Sequence, residues 1–283
     1  MADPNTEFDL HDFVSRTLAE DLGKGGDVTS NATISPDARF TAEMNCREPI
    51  VVAGLEIAAA FFRKLDPQVG IEMLASDGDT VEAGAVLMRL GGSARAMLTA
   101  ERSALNTLQH LSGIATLTRR YVDAIAGTGA TLIDTRKTIP GLRVLEKYAV
   151  RMGGARNHRM WLDDGVLIKD NHVAVCGGVA EAVRRAKAAN TGLQVQVEVD
   201  RIDQIEPALA AGADRLLLDN MDPAMLREAV SLVSGRVPLE ASGGVTLETI
   251  RFIAETGVDF ISVGRITQSA PAVDIGLDYS LKD

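Results

Sequence analysis

Residues 131–172 read TLIDTRKTIPGLRVLEKYAVRMGGARNHRMWLDDGVLIKDNH, and the way apolar runs end in polar clusters along this stretch decides the fold class. The apolar TLI runs into Asp134, Arg136 and Lys137, and a helical segment follows from about Gly141. The next apolar run, VLI, ends in Lys169, Asp170, Asn171 and His172. Charges that appear where a buried strand finishes, with a helix after them, mark the functional rim of a parallel β/α barrel. From Asp134 to His172 eight Lys/Arg face five Asp/Glu, a surplus of three positive charges in a chain of formal net charge −10. An acidic protein thus gathers cations at one rim. Asn157-His158-Arg159 lies between the two strand ends, so arginine, lysine and histidine can converge on one ligand. Guanidinium groups grip carboxylates and phosphates bidentately, and lysines act as point charges. The expected ligand is a small polyanion.

Downstream the alternation continues. Strands are expected at 131–134, 166–169, 193–199, 214–218, 237–241 and 258–263, with helices beginning near 141, 178, 203, 222 and 246. A succession of βα units implies right-handed crossovers and a parallel sheet. A complete eight-fold barrel takes about 250 residues. Six strands therefore predict an α/β fold with an incomplete (open) parallel β/α barrel. Each strand ends in polar residues: DTRK, KDNH, EVD, LDN, ASGG and VGR. In LQVQVEVD (193–200) the valines 195, 197 and 199 share one face, and Gln194, Gln196, Glu198 and Asp200 share the other. With the valines packed on helices, the polar face looks into the barrel, where charge without a task is costly.

Glu198 and Asp219 end two of these strands. Carboxylates there suit sugar hydroxyls and, directly or through water, a hard cation such as Mg²⁺; for Asp219 the alternative is an N-cap for the helix beginning near Pro223. Ser242-Gly243-Gly244, entering a helix expected at Thr246, offers backbone N–H groups to a phosphate, with Gly264 on the next strand end.

Upstream, residues 8–22 read as a helix stopped by the glycines of GKGGD, and Asp27–Ser30 as a capping turn. Residues 38–53 alternate as a strand and GLEIAAAFFRKL (54–65) returns to helix, the beginning of a smaller βαβ-like N-terminal α/β sandwich domain. SDGDTVEAGAVLMRL (76–90) resembles the turn-and-strand pattern of biotinyl and lipoyl carrier domains. No lysine lies between Lys64 and Lys137, so a shared structural device is the reading here. Residues 94–126 form a long helix with Leu98, Leu105, Leu108 and Leu111 in one stripe, expected to be interrupted near Ser112-Gly113. Arg143, Lys147 and Arg151, at i, i+4 and i+8, would repel one another on a helix and read as a solvated or salt-bridged outer face. The domain boundaries expected are 1–112 for the small domain, rejoined by 268–283, and 113–267 for the barrel.

The bulk numbers exclude several classes. With 46% hydrophobic and 24% charged residues the chain is ordinary globular material, and its negative charge argues against nucleic acid as a partner. Cys46 and Cys176 read as two small buried hydrophobes in a reducing compartment. MADPNTEFDLHDF has no signal-peptide pattern and no stretch reaches membrane-spanning length, so no membrane partner and a cytoplasmic location are expected.

TRKTIPGLR, KYAVRMGG, NHR and LIKDNH, in this order and spacing, resemble the quinolinate phosphoribosyltransferase family. The likeness extends from EDLGKGGDVTS through LTAERSALNTLQHLSGIAT to VEV, LLLDN, SGG and DIGLD, nearly the whole chain. The resemblance implies transfer of the phosphoribosyl group of phosphoribosyl pyrophosphate to quinolinate, a pyridine 2,3-dicarboxylate, with loss of carbon dioxide and with Mg²⁺ as cofactor. It implies Arg102, Arg136, His158, Arg159 and Lys169 as the quinolinate clamp. Lys137, Glu198, Asp219, Ser242, Gly243, Gly244 and Gly264 fall to phosphoribosyl pyrophosphate, with Glu198 and Asp219 toward the metal. Lys137, Lys169, Glu198 and Asp219 are the expected catalytic set, with Lys137 or Lys169 helping to deliver the final proton. Strand alternation forbids Arg136 and Lys137 both pointing inward unless the chain has already turned into loop. The arginine matching Arg102 reaches substrate from the neighbouring subunit, which implies a homodimer or larger assembly. ISVGRITQSA (261–270) departs from the family pattern, with Arg265 and Gln268 where a small residue and a histidine are expected. Two alternatives stay open: a phosphoribosyltransferase of the molybdenum-transport-associated branch or one acting on another aromatic acid, and a barrel that only binds a phosphorylated ligand.

Overall fold

The structure is a computed structural model and describes residues 8–280. In chain order its first part contains α1 (Leu10–Leu22), α2 (Val28–Thr33), β1 (Arg39–Cys46), β2 (Ile50–Val51), α3 (Leu55–Leu65), β3 (Gly70–Met73), β4 (Thr80–Val81), β5 (Val86–Ser93) and α4 (Ala94–Ala124). The second part alternates: β6 (Thr131–Ile133), α5 (Arg143–Met152), β7 (Val166–Ile168), α6 (Asp170–Cys176), α7 (Val179–Ala188), β8 (Val195–Val199), α8 (Ile205–Ala210), β9 (Arg215–Asp219), α9 (Pro223–Val233), β10 (Leu239–Ser242), α10 (Ile250–Ala254), β11 (Phe260–Ser262) and α11 (Arg265–Gln268). β12 (Ile275–Ser280) closes it. Two compact units result. The first holds the described chain to Leu117, Val144–Gly154 and the segment from Ala270; the second holds Thr118–Arg143 and Ala155–Ser269.

The second unit is built on a six-stranded parallel sheet in the order β6-β11-β10-β9-β8-β7. β6 and β7 follow one another in the chain yet stand at opposite ends of this order, so the barrel is open between them. Val195, Val197 and Val199 are at most 1% exposed, which leaves Gln196 and Glu198 on the other face of β8. The same period puts Glu240 and Ser242 on one face of β10, opposite the buried Leu239 and Ala241.

Local chemistry sets the helix starts. Asp222 accepts from the N–H groups of Ala224 (2.8 Å) and Met225 (2.9 Å), with Pro223 at the first helical position. Asp222 is therefore the cap of α9, and Asp219 is not. Sequence periodicity missed α6, which follows β7 without a loop; its first turn is tied by the Lys169 N–H donating to His172 Nδ1 at 2.9 Å. α10 begins at Ile250 and not near Thr246, because Thr246 N–H donates to Thr249 Oγ1 (3.0 Å) and closes a turn first.

The first unit contains a four-stranded sheet, β12-β1-β5-β3, antiparallel throughout. This corrects the βαβ-like expectation. Ala42, Met44 and Cys46 alternate with more exposed neighbours, so only one face is covered, as antiparallel sheets allow. That face packs on Val14 and Leu18 of α1, Phe61 and Phe62 of α3, and Leu105 and Leu108 of α4; each large side chain buried this way contributes roughly 1.5–3 kcal/mol. Asp27 caps α2, accepting from Ser30 N–H at 2.8 Å.

Three further expectations need correction. α4 runs uninterrupted through Ser112-Gly113. Ser112 Oγ accepts from Ala53 N–H (3.1 Å), and a Cβ on Gly113 would stand 2.1 Å from the Pro271 carbonyl oxygen, so the pair forms a packing notch and not a break. The basic stripe of α5 is not one solvated face, although Arg151 is exposed. Lys147 is fully buried, as is Glu146, which lies 2.9 Å from His110 Nε2, while the Arg143 guanidinium lies over the Trp161 ring and that of Arg151 over Tyr148. Each cation finds its own environment, which removes the repulsion that a shared face would impose. Cys46 is buried, but Cys176 is only partly so. Among the described residues no helix is long and apolar enough to cross a membrane.

Candidate active site

A cavity of about 710 Å³ lies at the C-terminal ends of the parallel strands, lined entirely by residues of the second unit. Arg136, Lys137, His158, Arg159, Lys169, Glu198, Asp219, Ser242, Gly243, Gly244 and Gly264 all line it. Of the residues expected at the site only Arg102 does not. It is exposed on α4, in the first unit.

One wall is cationic and rests on Asp134, the fully buried residue that follows β6. Asp134 accepts from Asn157 Nδ2 (2.6 Å) and from the His158 N–H (2.7 Å), which draws the Asn157-His158-Arg159 segment to the end of β6. His158 Nδ1 accepts from the Arg159 N–H at 2.7 Å, so the ring orientation is set by its own chain. Arg159 Nη1 donates to Gly165 O (2.8 Å). Burial, and then the neighbouring charge of Arg136, push the Arg159 guanidinium below its usual range. Arg136 Nε is buried with no hydrogen-bond partner. Two like charges side by side in a half-buried wall, one with an unsatisfied buried donor, form a receptor for anions. β6 ends at Ile133 and the chain is already in loop at Arg136, so Arg136 and Lys137 both reach the cavity.

Lys137 is placed by its backbone. Its N–H donates to Thr135 Oγ1 (3.0 Å), its carbonyl accepts from Thr267 Oγ1 (2.7 Å), and its stem crosses Gly264, where a Cβ would meet Lys137 Cδ at 2.7 Å. The second wall is acidic. Glu198 accepts from Lys169 Nζ at 2.5 Å, and Asp219 is pushed above the ordinary carboxylate range by burial first and by Glu198 second, with Lys169 and Lys137 opposing. All four expected catalytic residues thus sit within one another's fields. Among the described residues no group of three or more His, Cys, Asp or Glu could hold a metal ion. Two mutually repelling carboxylates fit the other arrangement, in which Mg²⁺ shares one or two protein oxygens with substrate phosphate.

Ser242-Gly243-Gly244 closes the far end. Gly243 (φ 93) and Gly244 (φ 60) are left-handed, and nothing lies within 4 Å of the Gly244 Cβ position. Any phosphate cradle here is the glycine turn itself, since α10 starts later and is only five residues long.

The floor holds a residue that the sequence reading passed over. Glu240, fully buried on β10, accepts from Gln196 Nε2 (2.7 Å) and pairs with Arg215 Nη2 (2.7 Å), and its Oε2 is 3.5 Å from His158 Nε2. Burial alone would raise its pKa, yet His158 and Arg215 hold it at about 2. Arg215, itself depressed by burial, stacks over Phe260 at 4.0 Å. An acidic residue inside the apolar run VPLEAS, in phase with Ser242, was the available signal. In the sequence Asp134 reads only as part of the polar cluster after β6, without its supporting role, and Asn220 was missed.

Models of the quinolinate phosphoribosyl transferase N-terminal and C-terminal domains match residues 27–112 and 114–278. The chain belongs to this family. A nicotinate-nucleotide pyrophosphorylase [carboxylating] of Mycobacterium leprae is 45% identical over 278 residues, spanning 96% of this chain and 98% of its own. The structure of the nicotinate-nucleotide pyrophosphorylase from Francisella tularensis matches with a TM-score of 0.91 at 43% identity, covering 96% of each chain. That from Ehrlichia chaffeensis matches with 0.93 at 40% identity, covering 97% of this chain and all of its own. Arg265 and Gln268, where the sequence reading expects a small residue and a histidine, both line the cavity.

Proposed function

We propose that the protein transfers the phosphoribosyl group of phosphoribosyl pyrophosphate to quinolinate with decarboxylation, giving nicotinate mononucleotide, pyrophosphate and carbon dioxide in de novo NAD biosynthesis. The observation that carries this reading is that Arg136 and Arg159, whose charges act on one another, line the cavity with His158: two guanidinium groups on one wall suit two adjacent carboxylates on one flat ring. Lys169 closes the quinolinate clamp, and Lys137, Glu198, Asp219, the glycine turn and Gly264 take phosphoribosyl pyrophosphate.

The ring nitrogen attacks the anomeric carbon as the bond to pyrophosphate breaks and its electron pair leaves with pyrophosphate. Fixed charges on opposite walls stabilise this oxocarbenium-like passage by position and field. The ring nitrogen is then cationic, so the 2-carboxylate can depart as carbon dioxide, leaving its electron pair on the adjacent carbon. Lys137 or Lys169 helps return a proton to that carbon and is reprotonated from solvent. Glu198 and Asp219 would hold Mg²⁺, which would supply positive charge against pyrophosphate. Arg102 completes the quinolinate clamp from a second copy of the chain in a homodimer or larger assembly. The protein works in the cytoplasm.

The test mixes the protein with Mg²⁺, phosphoribosyl pyrophosphate and either quinolinate or nicotinate, and follows mononucleotide and carbon dioxide. Product from quinolinate alone supports the assignment; product from nicotinate alone, or from neither, overturns it.

A further inference from the structure

Three non-glycine residues among those described have left-handed backbone: Asn190, Asn220 and Ser234. Asn190 follows α7, and Ser234 is the C-cap of α9, common places for such a conformation. Asn220 differs. It follows a strand, β9, and it lines the cavity. Its φ of 54 turns the side chain back along the strand end, where Nδ2 donates to Asp219 Oδ2 at 2.7 Å. The other end of the same amide presses on the glycine turn: Oδ1 lies 2.2 Å from where a Cβ on Gly243 would stand. The Asn220 N–H donates to Ser242 O at 2.9 Å, on the neighbouring strand end, where Asp219 and Ser242 are in register.

One short side chain therefore spans two functional elements, bonded to the carboxylate on one side and wedged against the turn on the other. Glycine at 243 is favoured by its φ of 93 and by the approach of the Asn220 backbone N (2.9 Å from a Cβ there), and the Asn220 side chain fills the rest of the space that a side chain would need. We infer that Asn220 is a positioning residue that sets the separation between the Asp219 carboxylate and the Ser242-Gly243-Gly244 turn, and so the fit of the cavity to the two ends of a phosphoribosyl pyrophosphate. This rests on the reading of the cavity given under the proposed function. Asn220 acts through Asp219 and Gly243. It is distant in role from the wall of Arg136, His158 and Arg159, so its effect is selective between the two substrates.

Asn220→Gly keeps the left-handed backbone and removes the brace, and Asn220→Asp keeps the shape but loses the donor and adds charge. For Asn220→Gly the expected result is a KM for phosphoribosyl pyrophosphate raised about tenfold with that for quinolinate unchanged, a displacement of reacting groups being costly at this level. Asn220→Asp is expected to shift the same constant further. Gly243→Ala is expected to do more damage in the wild-type background than in the Asn220→Gly background, where the side-chain clash is removed and only the 2.9 Å approach to the residue-220 backbone N and the positive φ remain, so the two changes are non-additive. Calorimetric binding of ribose 5-phosphate without Mg²⁺ or quinolinate, weaker in Asn220→Gly, gives a readout independent of turnover. Equal changes in both KM values, wild-type behaviour of Asn220→Gly in kinetics and binding, or strict additivity with Gly243→Ala overturns the inference. An inactive wild-type protein overturns the functional reading instead, and ribose 5-phosphate binding then still decides the role of Asn220.

Discussion

Lys169 Nζ stands 2.5 Å from Glu198 Oε2, joining the ends of the neighbouring strands β7 and β8 across the acidic wall of the cavity. The ammonium is 42% exposed and the carboxylate 11%. An ion pair this open contributes roughly 0–1 kcal/mol to stability, so its geometry reflects what it does with a ligand. Lys169→Met and Glu198→Gln are each expected to lower kcat/KM by about a hundredfold or more with little change in melting temperature. The double variant is expected to lose less than the product of the two, as groups acting as a unit are non-additive. Full additivity in steady-state kinetics would separate their roles.

Burial, and then the neighbouring charge of Arg136, make the charged form of Arg159 costly in the free protein. Arg159→Met is therefore expected to leave the free protein as stable as the wild type or more so, while abolishing stabilisation by a vicinal dicarboxylate. At a ligand concentration of about a hundred Kd that stabilisation is about 2.7 kcal/mol in the wild type. Thermal unfolding with and without quinolinate or benzene-1,2-dicarboxylate measures both effects, and an Arg159→Met variant that is less stable yet still ligand-stabilised would reverse the assignment.

Strand alternation made the cationic and acidic rims legible, because LQVQVEVD states in its own period which side chains share a face. Two kinds of feature were not legible. A buried charge such as Glu240 looks like a solvated one until His158, Gln196 and Arg215 are brought to it from other segments, and nothing in the sequence around Lys147 marks it as buried. Asn220 and Gly243 acquire meaning only together, since neither residue type alone reports that one fills the space the other leaves. The same holds for Ser112-Gly113, which has the composition of a helix break and the structure of a contact.

Gly113 makes that last point measurable. Replacing a helical glycine by alanine ordinarily stabilises by roughly 0.5–1 kcal/mol. Here the new Cβ would stand 2.1 Å from Pro271 O and 3.2 Å from Ala272 Cα, backbone that cannot swing aside as a side chain can. Gly113→Ala is expected to destabilise by about 1–3 kcal/mol, the usual range for overpacking. Denaturant unfolding decides it: a gain in stability would mean that the segment from Pro271 yields without penalty.

Glu240 ties the floor of the cavity to acid stability. Its pKa is about 2 in the folded protein against an ordinary 4.5, because His158 and Arg215 outweigh the burial that would raise it. A carboxylate depressed on folding contributes stability that is fully present above its unfolded value and is lost as pH falls from about 4.5 through about 2, on the order of 3 kcal/mol in all. Asp27, Asp66 and Asp214 are also held low, but they titrate alike in wild type and variant and cancel in the comparison. Glu240→Gln is expected to be less stable at neutral pH, since Arg215 is left buried without its counter-charge. It is also expected to lose less further stability than the wild type between pH 4.5 and 2. Urea midpoints across that range test the sign directly: parallel pH profiles would show that the Glu240 carboxyl is not held low in the folded protein.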